Sequence, residues 1–600
     1  MSTIALWRAR ESSSIILSLN TQHRFNFLGI RRASYHFVSI PRAAFSNCIS
    51  RSITRECVRR AQKQFRHRIS TKCNSPDDHF FRYTSGRWIW NEEQQLRNRF
   101  RRFNVPELQR VAAASVGAQE CISMVKMAEG SFNKVFRLVM DNDRVVIARI
   151  PNPNAGPPYY TTASEVATMD FARNILEIPV PEVYAWSASA DNSVGAEYII
   201  MDEAAGEPAA TSLDTMELED KVAIAKELIS IEKRLLSISF SCYGSLYYKE
   251  SSVKGAMTAE VVGDVSTEIK DRIAKRFVIG PTVERDFWSK ERSYMDIDRG
   301  AWNNPRDYIS AIAHREIAWI KRYAVPTGSD DPLAPSAAQN SPTEHVSLLE
   351  RYLKATPYLL PTDPDLLTSN LWHKDLHSGN IFLEGNRITS IIDWQNAWAG
   401  PLVTQARHPH IIDYQGEVML KFPESYKSLT DEEKIPIRRQ VASSIILHLY
   451  ENMTARENPR LSKVFRLEHG RTRGEVISFA SDSWDDDIIP FRESLIRIER
   501  YWKEMGFGLP CPIHFTADEL RSHSADAEGW NEVQEFWDSV AGLVDRSGWT
   551  PCDRYEDALA LFGRLRETGL KVMIGQEREA FEAQTRWADQ AANANPEGHR

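Results

Sequence analysis

Asp375, Asn380 and Asp393 fall within one stretch, Leu371 to Gly400, that reads LWHKDLHSGNIFLEGNRITSIIDWQNAWAG. Between the last two, Ile381–Leu383 and Arg387–Ile392 are spaced as short strands pairing across Glu384-Gly385-Asn386. A hairpin returns to its own start, so Asn380 and Asp393 are expected at the same end. There a side-chain oxygen and a carboxylate can share a hard cation such as Mg²⁺. Asp375, just ahead on the loop, can accept or orient the proton of a substrate hydroxyl. Metal charge, positioning and one base are what phosphoryl transfer demands. Two rival readings stand beside this one. His373, Asp375 and His377 could be zinc ligands, since imidazole and carboxylate suit that metal, although no further His or Cys cluster lies nearby to complete a site. The segment could also be a strand and polar loop without chemistry. Neither rival explains the hairpin-matched spacing of Asn380 and Asp393.

The elements that must position these residues are legible upstream. Val135–Met140 and Val145–Ile150 read as an antiparallel hairpin across Asp141-Asn142-Asp143. Ahead of it, Glu129-Gly130-Ser131-Phe132-Asn133-Lys134 makes a turn with a single glycine, a weak sign of a phosphate-covering loop. Thr162–Leu176 has helical spacing, with Val166, Met169 and Ala172 on one side, and Pro179-Val180-Pro181 ends it. Tyr184–Trp186 and Glu197–Met201 complete a small sheet that closes at Gly206. Leu218–Leu236 is an amphipathic helix. Residues 325–343 and the acidic Asp482–Asp487 read as loops, and helical patterns resume from Ala517. Asn91 is expected to cap a helix that begins with Glu92 and Glu93. The order gives an α+β, bilobal architecture with a small β-rich N-lobe and a larger helical C-lobe. The expected divisions are 1–72, 73–110 (a helical lead-in), 111–206 (N-lobe), 207–520 (C-lobe, catalytic loop 373–393) and 521–600 (a helical extension).

These residues resemble a known family. H-x-D-x-x-x-x-N followed by a metal-binding Asp is similar to the catalytic loop of eukaryotic-type kinases. The form H-x-D-L-H-x-G-N with I-D-W resembles the aminoglycoside phosphotransferase and choline kinase branch. That resemblance implies a protein-kinase-like fold, ATP and Mg²⁺ as cofactors, Asp375 as catalytic base, and Asn380 and Asp393 as metal ligands. It makes His373 a buttress of the loop. It also places Gly130, Ser131 and Asn133 over the phosphates, and the backbone of Met201 at the adenine. Val145-Val146-Ile147-Ala148-Arg149 resembles the kinase V-A-I-K strand with Arg149 in place of Lys, and Glu165 takes the partner position in the following helix. A guanidinium contacts phosphate, but its planar fork is not interchangeable with a compact ammonium. Arg149 and the single-glycine loop therefore feed an alternative, a pseudokinase or scaffold without turnover. A protein kinase is disfavoured by His377 in the usual Lys slot and by the absence of A-P-E after Asp393. More widely, YTSGRWIWNEEQQL, EGSFNKVFRL, VIARIPNPNAGPP, SEVATM, PVPEVYAWS and YGSLYY resemble the fungal altered-inheritance-of-mitochondria protein nine family. Its members carry a mitochondrial presequence and a phosphotransferase domain, and the resemblance supplies no substrate.

Charge agrees with that address. Met1–Lys72 holds fourteen Lys or Arg against Glu11 and Glu56, so the net charge of −7 leaves −19 for residues 73–600. An Arg- and Ser-rich, acid-poor start with interleaved apolar residues is the composition of an organellar transit peptide. A basic tail for nucleic acid or acidic lipid is the plainer alternative. The expected partners are the mitochondrial import machinery and a small-molecule acceptor, with no nucleic acid. No apolar run approaches the roughly 20 residues of a membrane span. The seven cysteines form no C-x-x-C pair, which argues against a zinc ribbon or a disulfide framework.

Overall fold

The computed structural model describes residues 77–127, 129–326, 338–486 and 488–585. The segment 1–72, expected to be a targeting sequence, lies outside them. The N-lobe is a five-stranded antiparallel sheet in the order Cys121–Lys126, Asn133–Met140, Val145–Pro151, Tyr198–Asp202, Val183–Ser187. Asn133–Met140 alternates strictly, burying Phe136, Leu138 and Met140. Val145–Pro151 is central and covered on both faces: Val146, Ala148 and Ile150 join one apolar cluster, Ile147 another. A strand covered twice loses alternation.

The helix expected at 162–176 spans Tyr160–Asn174 and is buried nearly all round. Val166, Met169 and Ala172 pack inward as their spacing requires, but so do Ser164, Glu165 and Thr168. Helix Glu92–Arg99 begins after Asn91, yet Asn91 is not the side-chain cap expected. It sits in the left-handed region at φ 54° with no side-chain hydrogen bond to the first turn. Asn tolerates that conformation where other residues do not, so the backbone turn rather than the cap uses it here.

In the C-lobe, strands Ile381–Glu384 and Arg387–Ile391 form the expected hairpin, with a register shift between Phe382 and Leu383. Strand Ser369–Trp372, just before the segment 373–393, pairs with Trp398–Pro401, just after it. The loop is thus clamped at both ends by one ladder. Gly206 does more than close the small sheet. Its φ is +88°, and a Cβ there would meet the Leu383 carbonyl oxygen at 2.4 Å. The chain passes from one lobe to the other against this hairpin, and only glycine fits.

Helix Leu218–Leu235 packs on the long helix Asp431–Glu457. Between them the Tyr450 hydroxyl reaches both Glu232 carboxylate oxygens at 2.8 Å. Burial pushes Glu232 up to about 8, offset in part by Tyr450. A carboxyl whose folded pKa is raised binds its proton more tightly when folded, so its contribution to stability falls as pH rises from about 4.5 to about 8. Glu232→Gln keeps an acceptor for Tyr450 without the charge. Thermal melts should therefore show the Gln variant gaining on the wild type as pH rises toward 8. Parallel melting curves across that window would remove Glu232 as the cause.

Two loop expectations change. Asp482–Asp487 is not a free loop, since Ser483–Asp486 forms a helical turn and Asp485 lies 3.7 Å from the buried Arg292. That charge is drawn inward by a guanidinium which local composition does not reveal. Of 325–343, residues 327–337 lie outside the described residues, and Pro342 already opens helix Pro342–Leu359 behind the Ser341 cap.

The two ends of the described chain meet. Strand Gly86–Trp88 pairs with Trp549–Pro551, and Ile89 shares an apolar cluster with Phe536, Val540, Tyr555 and Phe562. Thr84 donates to Glu129 Oε2 through both its backbone nitrogen (2.7 Å) and its hydroxyl (3.0 Å). The lead-in therefore holds the residue preceding Gly130. No helix among the described residues is long and apolar enough to cross a membrane.

Candidate active site

The loop from His373 to Asn380 is braced by its own side chains. His373 Nδ1 accepts the Asp375 backbone N–H at 3.2 Å, so Nε2 carries the hydrogen and donates to the Ile392 carbonyl at 3.0 Å. Burial lowers the His373 pKa and keeps the ring neutral, which suits this tautomer. His377 Nδ1 likewise accepts the Gly379 N–H at 2.9 Å, and its Nε2 stands 3.8 Å from Asp375 Oδ2. Asn380 Nδ2 donates to the Asp375 carbonyl at 3.0 Å, which leaves its oxygen as the end suited to a cation. The Ile392 N–H bonds the Asn380 carbonyl at 3.0 Å, so the hairpin does bring Asn380 beside Asp393. Both histidines thus use a ring nitrogen to shape the loop. Among the described residues no group of three His, Cys, Asp or Glu side chains is arranged to hold a metal.

Asp393-Trp394-Gln395-Asn396 distributes four tasks over four residues. Asp393 sits at φ 62° and Asn396 at φ 64°, left-handed conformations that turn the chain sharply twice. Trp394 is buried and donates to the Ile391 carbonyl at 3.1 Å, anchoring the turn. Gln395 joins the lobes: its Oε1 accepts from Asn133 Nδ2 and Arg149 Nη2, both at 2.7 Å, and its Nε2 donates to the Ala155 carbonyl at 2.6 Å. Asn396 meets Arg285, described further below.

Arg149 is the hub from the N-lobe. Its Nη1 is ion-paired with Glu165 Oε1, and its Nη2 reaches Asp393 Oδ1 at 2.8 Å. Burial would lower its pKa, but Glu165 and Asp393 outweigh burial and hold it charged. One guanidinium serves two carboxylates unequally. Asp393 is held below its usual value: burial pushes it up, and the charge and hydrogen bond of Arg149, with the charge of Arg285, act against that. Glu165, the more buried of the two, is pushed up by desolvation despite Arg149. The pairing expected of Arg149 and Glu165 is present, and the direct bond from Arg149 to Asp393 is an addition to it. Among the described residues no hydrogen bond reaches the other oxygen of Asp393, so one carboxylate oxygen and the Asn380 oxygen fit a hard cation that takes one or two protein oxygens and the rest from phosphate and water.

The other residues singled out in the sequence fall less simply. Gly130 opens on space, since an added Cβ would meet nothing within 4 Å. Ser131 contributes its carbonyl to Asn154 Nδ2 at 3.4 Å. The Asn133 side chain is directed to Gln395, making it part of the lobe contact. Met201 lies in strand Tyr198–Asp202 opposite Ile147, buried within the ladder. The site also holds Gln395 and Arg285, which lie outside the sequence motifs. Gln395 could have been suspected from its place two residues after Asp393, whereas nothing in the local sequence marks Arg285.

Arg149 yields a sharp expectation. Arg149→Ala strands the buried Glu165 carboxylate and leaves the half-exposed Asp393 without its partner, and breaking a buried pair such as Arg149–Glu165 costs about 3–5 kcal/mol of stability. Nucleotide affinity should fall about ten- to hundredfold, the worth of one charge-assisted contact. Glu165→Ala should show part of that loss and the double variant less than the sum. Arg149→Lys supplies one nitrogen for three acceptors and should lose activity; turnover appearing only in the Lys variant would mark the wild type as a degenerate kinase.

The chain is similar to several known proteins. The phosphotransferase enzyme family (APH) model matches residues 124–404. A subtelomeric hrmA-associated cluster protein of Aspergillus fumigatus is 32% identical over 79% of this chain and 98% of its own length. The altered inheritance of mitochondria protein 9, mitochondrial, of Yarrowia lipolytica is 27% identical over 82% of this chain and 87% of its own; its Saccharomyces cerevisiae namesake is 21% identical over 85% and 92%. The mitochondrial location expected from the amino-terminal composition agrees with these relatives' names. Among solved structures, a thermostable mutant of aminoglycoside phosphotransferase APH(4)-Ia with ADP and hygromycin B is 14% identical, covering 67% of this chain and 100% of that one at a TM-score of 0.32. The match over residues 124–404, which holds most of the sheet, this loop and its hairpin, together with the 32% identical relative, places the chain in the phosphotransferase enzyme family.

Proposed function

We propose that this protein is an ATP- and Mg²⁺-dependent phosphotransferase that transfers the terminal phosphate of ATP to a hydroxyl of a small molecule in mitochondria. The observation that carries this reading is Arg149, which spans from Glu165 in the N-lobe to Asp393 beside Asn380 and the Asp375 loop. Asp375 takes the acceptor's hydroxyl proton as the acceptor oxygen bonds to phosphorus and the bond to the ADP oxygen breaks. His377, 3.8 Å away, orients that carboxylate. Asn380 and Asp393 would hold Mg²⁺, which when bound neutralises charge on the phosphate oxygens. Arg149 positions the α- and β-phosphates, and the backbone of the turn at Gly130 and Ser131 covers them. The strand end at Met201 meets the adenine. The unit from 111 to 206 is the nucleotide-binding lobe, and 207–520 carries the acceptor side with the loop 373–393.

A second reading is favoured by one observation: Arg149 already occupies Asp393 Oδ1 at 2.8 Å. A pseudokinase locked by that bond would bind nucleotide without turnover. Incubation of the purified protein with ATP labelled in its terminal phosphate and a mitochondrial metabolite extract separates the two. Label in a metabolite that disappears with Asp375→Asn supports the enzyme, and label confined to ATP supports the pseudokinase. The segment 1–72 is proposed to engage the import machinery. A reporter carrying it should enter mitochondria, and Gln at Arg8, Arg10, Arg24, Arg31 and Arg32 should leave the reporter cytosolic; unchanged import would refute the charge-based address.

A further inference from the structure

Arg285 arrives at the cleft from the C-lobe segment between strand Phe277–Gly280 and helix Pro305–Tyr323. Its guanidinium carbon stands 3.3 Å over the centre of the Phe132 ring, and Phe132 belongs to the turn that follows Gly130. Its Nε is buried and makes no hydrogen bond among the described residues. With its carboxamide oriented to satisfy both neighbours, Asn396 accepts from Arg285 Nη2 at 3.1 Å and donates to the Val283 carbonyl at 3.1 Å. That is a neutral brace, and no ion pair to Arg285 is formed among the described residues. Burial pulls the guanidinium down to about 10, and Asp393, Asp286 and Asp375 only partly offset it. A desolvated cation held by an amide and an aromatic face, next to the acidic residues of the site, is costly unless an anion completes it.

We infer that Arg285 is a second phosphate-binding residue, which meets the oxygens of the terminal phosphate and holds the Phe132 turn closed over it. This rests on the phosphotransferase reading and adds a ligand from the acceptor side of the cleft. The division of labour follows from position. Arg149 lies at the N-lobe strand, behind Asp393, where the α- and β-phosphates are placed. Arg285 bridges the covering turn and the Asp375 side, where the transferred group must pass. A planar fork suits this place, because one face stacks on Phe132 while the edge nitrogens reach oxygens. The plainer account is that Arg285 packs on Phe132 for stability alone.

The two accounts differ in what they do to phosphate number. Calorimetry with Mg²⁺ compares a non-hydrolysable ATP analogue with ADP on the full chain. Wild type should bind the triphosphate more tightly. Arg285→Gln should weaken the triphosphate about ten- to hundredfold and leave ADP nearly unchanged, and Arg285→Lys should recover part of the loss. Phe132→Leu, which keeps the guanidinium but removes its stacking face, should erode the same preference less. Equal weakening of both nucleotides in Arg285→Lys and Phe132→Leu, or no change in any variant that melts like wild type, would overturn the inference and leave the phosphotransferase reading standing. A wild type that binds neither nucleotide would overturn that reading and this one with it.

Discussion

Asp375→Asn should lower turnover by about 10²–10⁴-fold, the range expected for loss of a positioned general base, while nucleotide affinity stays near wild type. The reason lies in how the loop is built. The Asp375 backbone, not its carboxylate, is what His373 Nδ1 and Asn380 Nδ2 hold. An amide side chain is nearly isosteric, so those main-chain bonds survive the change and the proposed metal ligands stay in place. The carboxylate itself lies 3.8 Å from His377 Nε2. The effect should therefore appear in kcat and not in the binding of Mg²⁺-nucleotide. Steady-state rates and calorimetry on the same preparation distinguish the two. A variant that retains full turnover would remove Asp375 from the chemistry, and one that loses nucleotide affinity in proportion would assign it to binding.

Much of this site is legible in the sequence because it is local. The spacing Asp375, Asn380, Asp393 encodes a loop and hairpin, and hairpin geometry returns the two ends together without knowledge of the rest of the fold. Arg149 and Glu165 are readable for a similar reason, being a central strand and the next helix. What is hidden depends on distant segments. Gln395 links Asn133, Arg149 and Ala155, all more than two hundred residues away in sequence. Arg285 gains meaning only once folding sets it over Phe132. The pairing of Gly86–Trp88 with Trp549–Pro551 joins the two ends of the described chain, and short strands of three residues carry too little pattern to announce a partner. Asn91 shows the same limit on a small scale. Its residue type suits a cap and a left-handed turn equally, and the surrounding backbone decides.

Asp393→Ala should have the second large effect, on metal-dependent binding. Asp393 supplies the one carboxylate among the proposed metal ligands, and a metal–carboxylate contact of this kind is worth several kcal/mol. At 1.4 kcal/mol per decade, the Mg²⁺-nucleotide affinity should fall by about a hundredfold or more. The ionisation state supports the role: Arg149 and Arg285 act against burial and the Asp393 carboxyl lies below its usual pKa, so it is charged at neutral pH. The same substitution removes the partner at 2.8 Å from Arg149 Nη2. That nitrogen then becomes available to phosphate, so metal-free nucleotide should bind at least as well as it does to wild type. The sign of the change is thus opposite with and without the metal, which a general loss of folding cannot imitate.

Calorimetric titration of ATP into wild type and Asp393→Ala, each with Mg²⁺ and with chelator, tests the central claim most directly. The account predicts that Mg²⁺ strengthens binding to wild type, that Asp393→Ala abolishes this gain, and that the two proteins bind alike, or the variant more tightly, in chelator. Equal Mg²⁺-dependent binding by both proteins would contradict it.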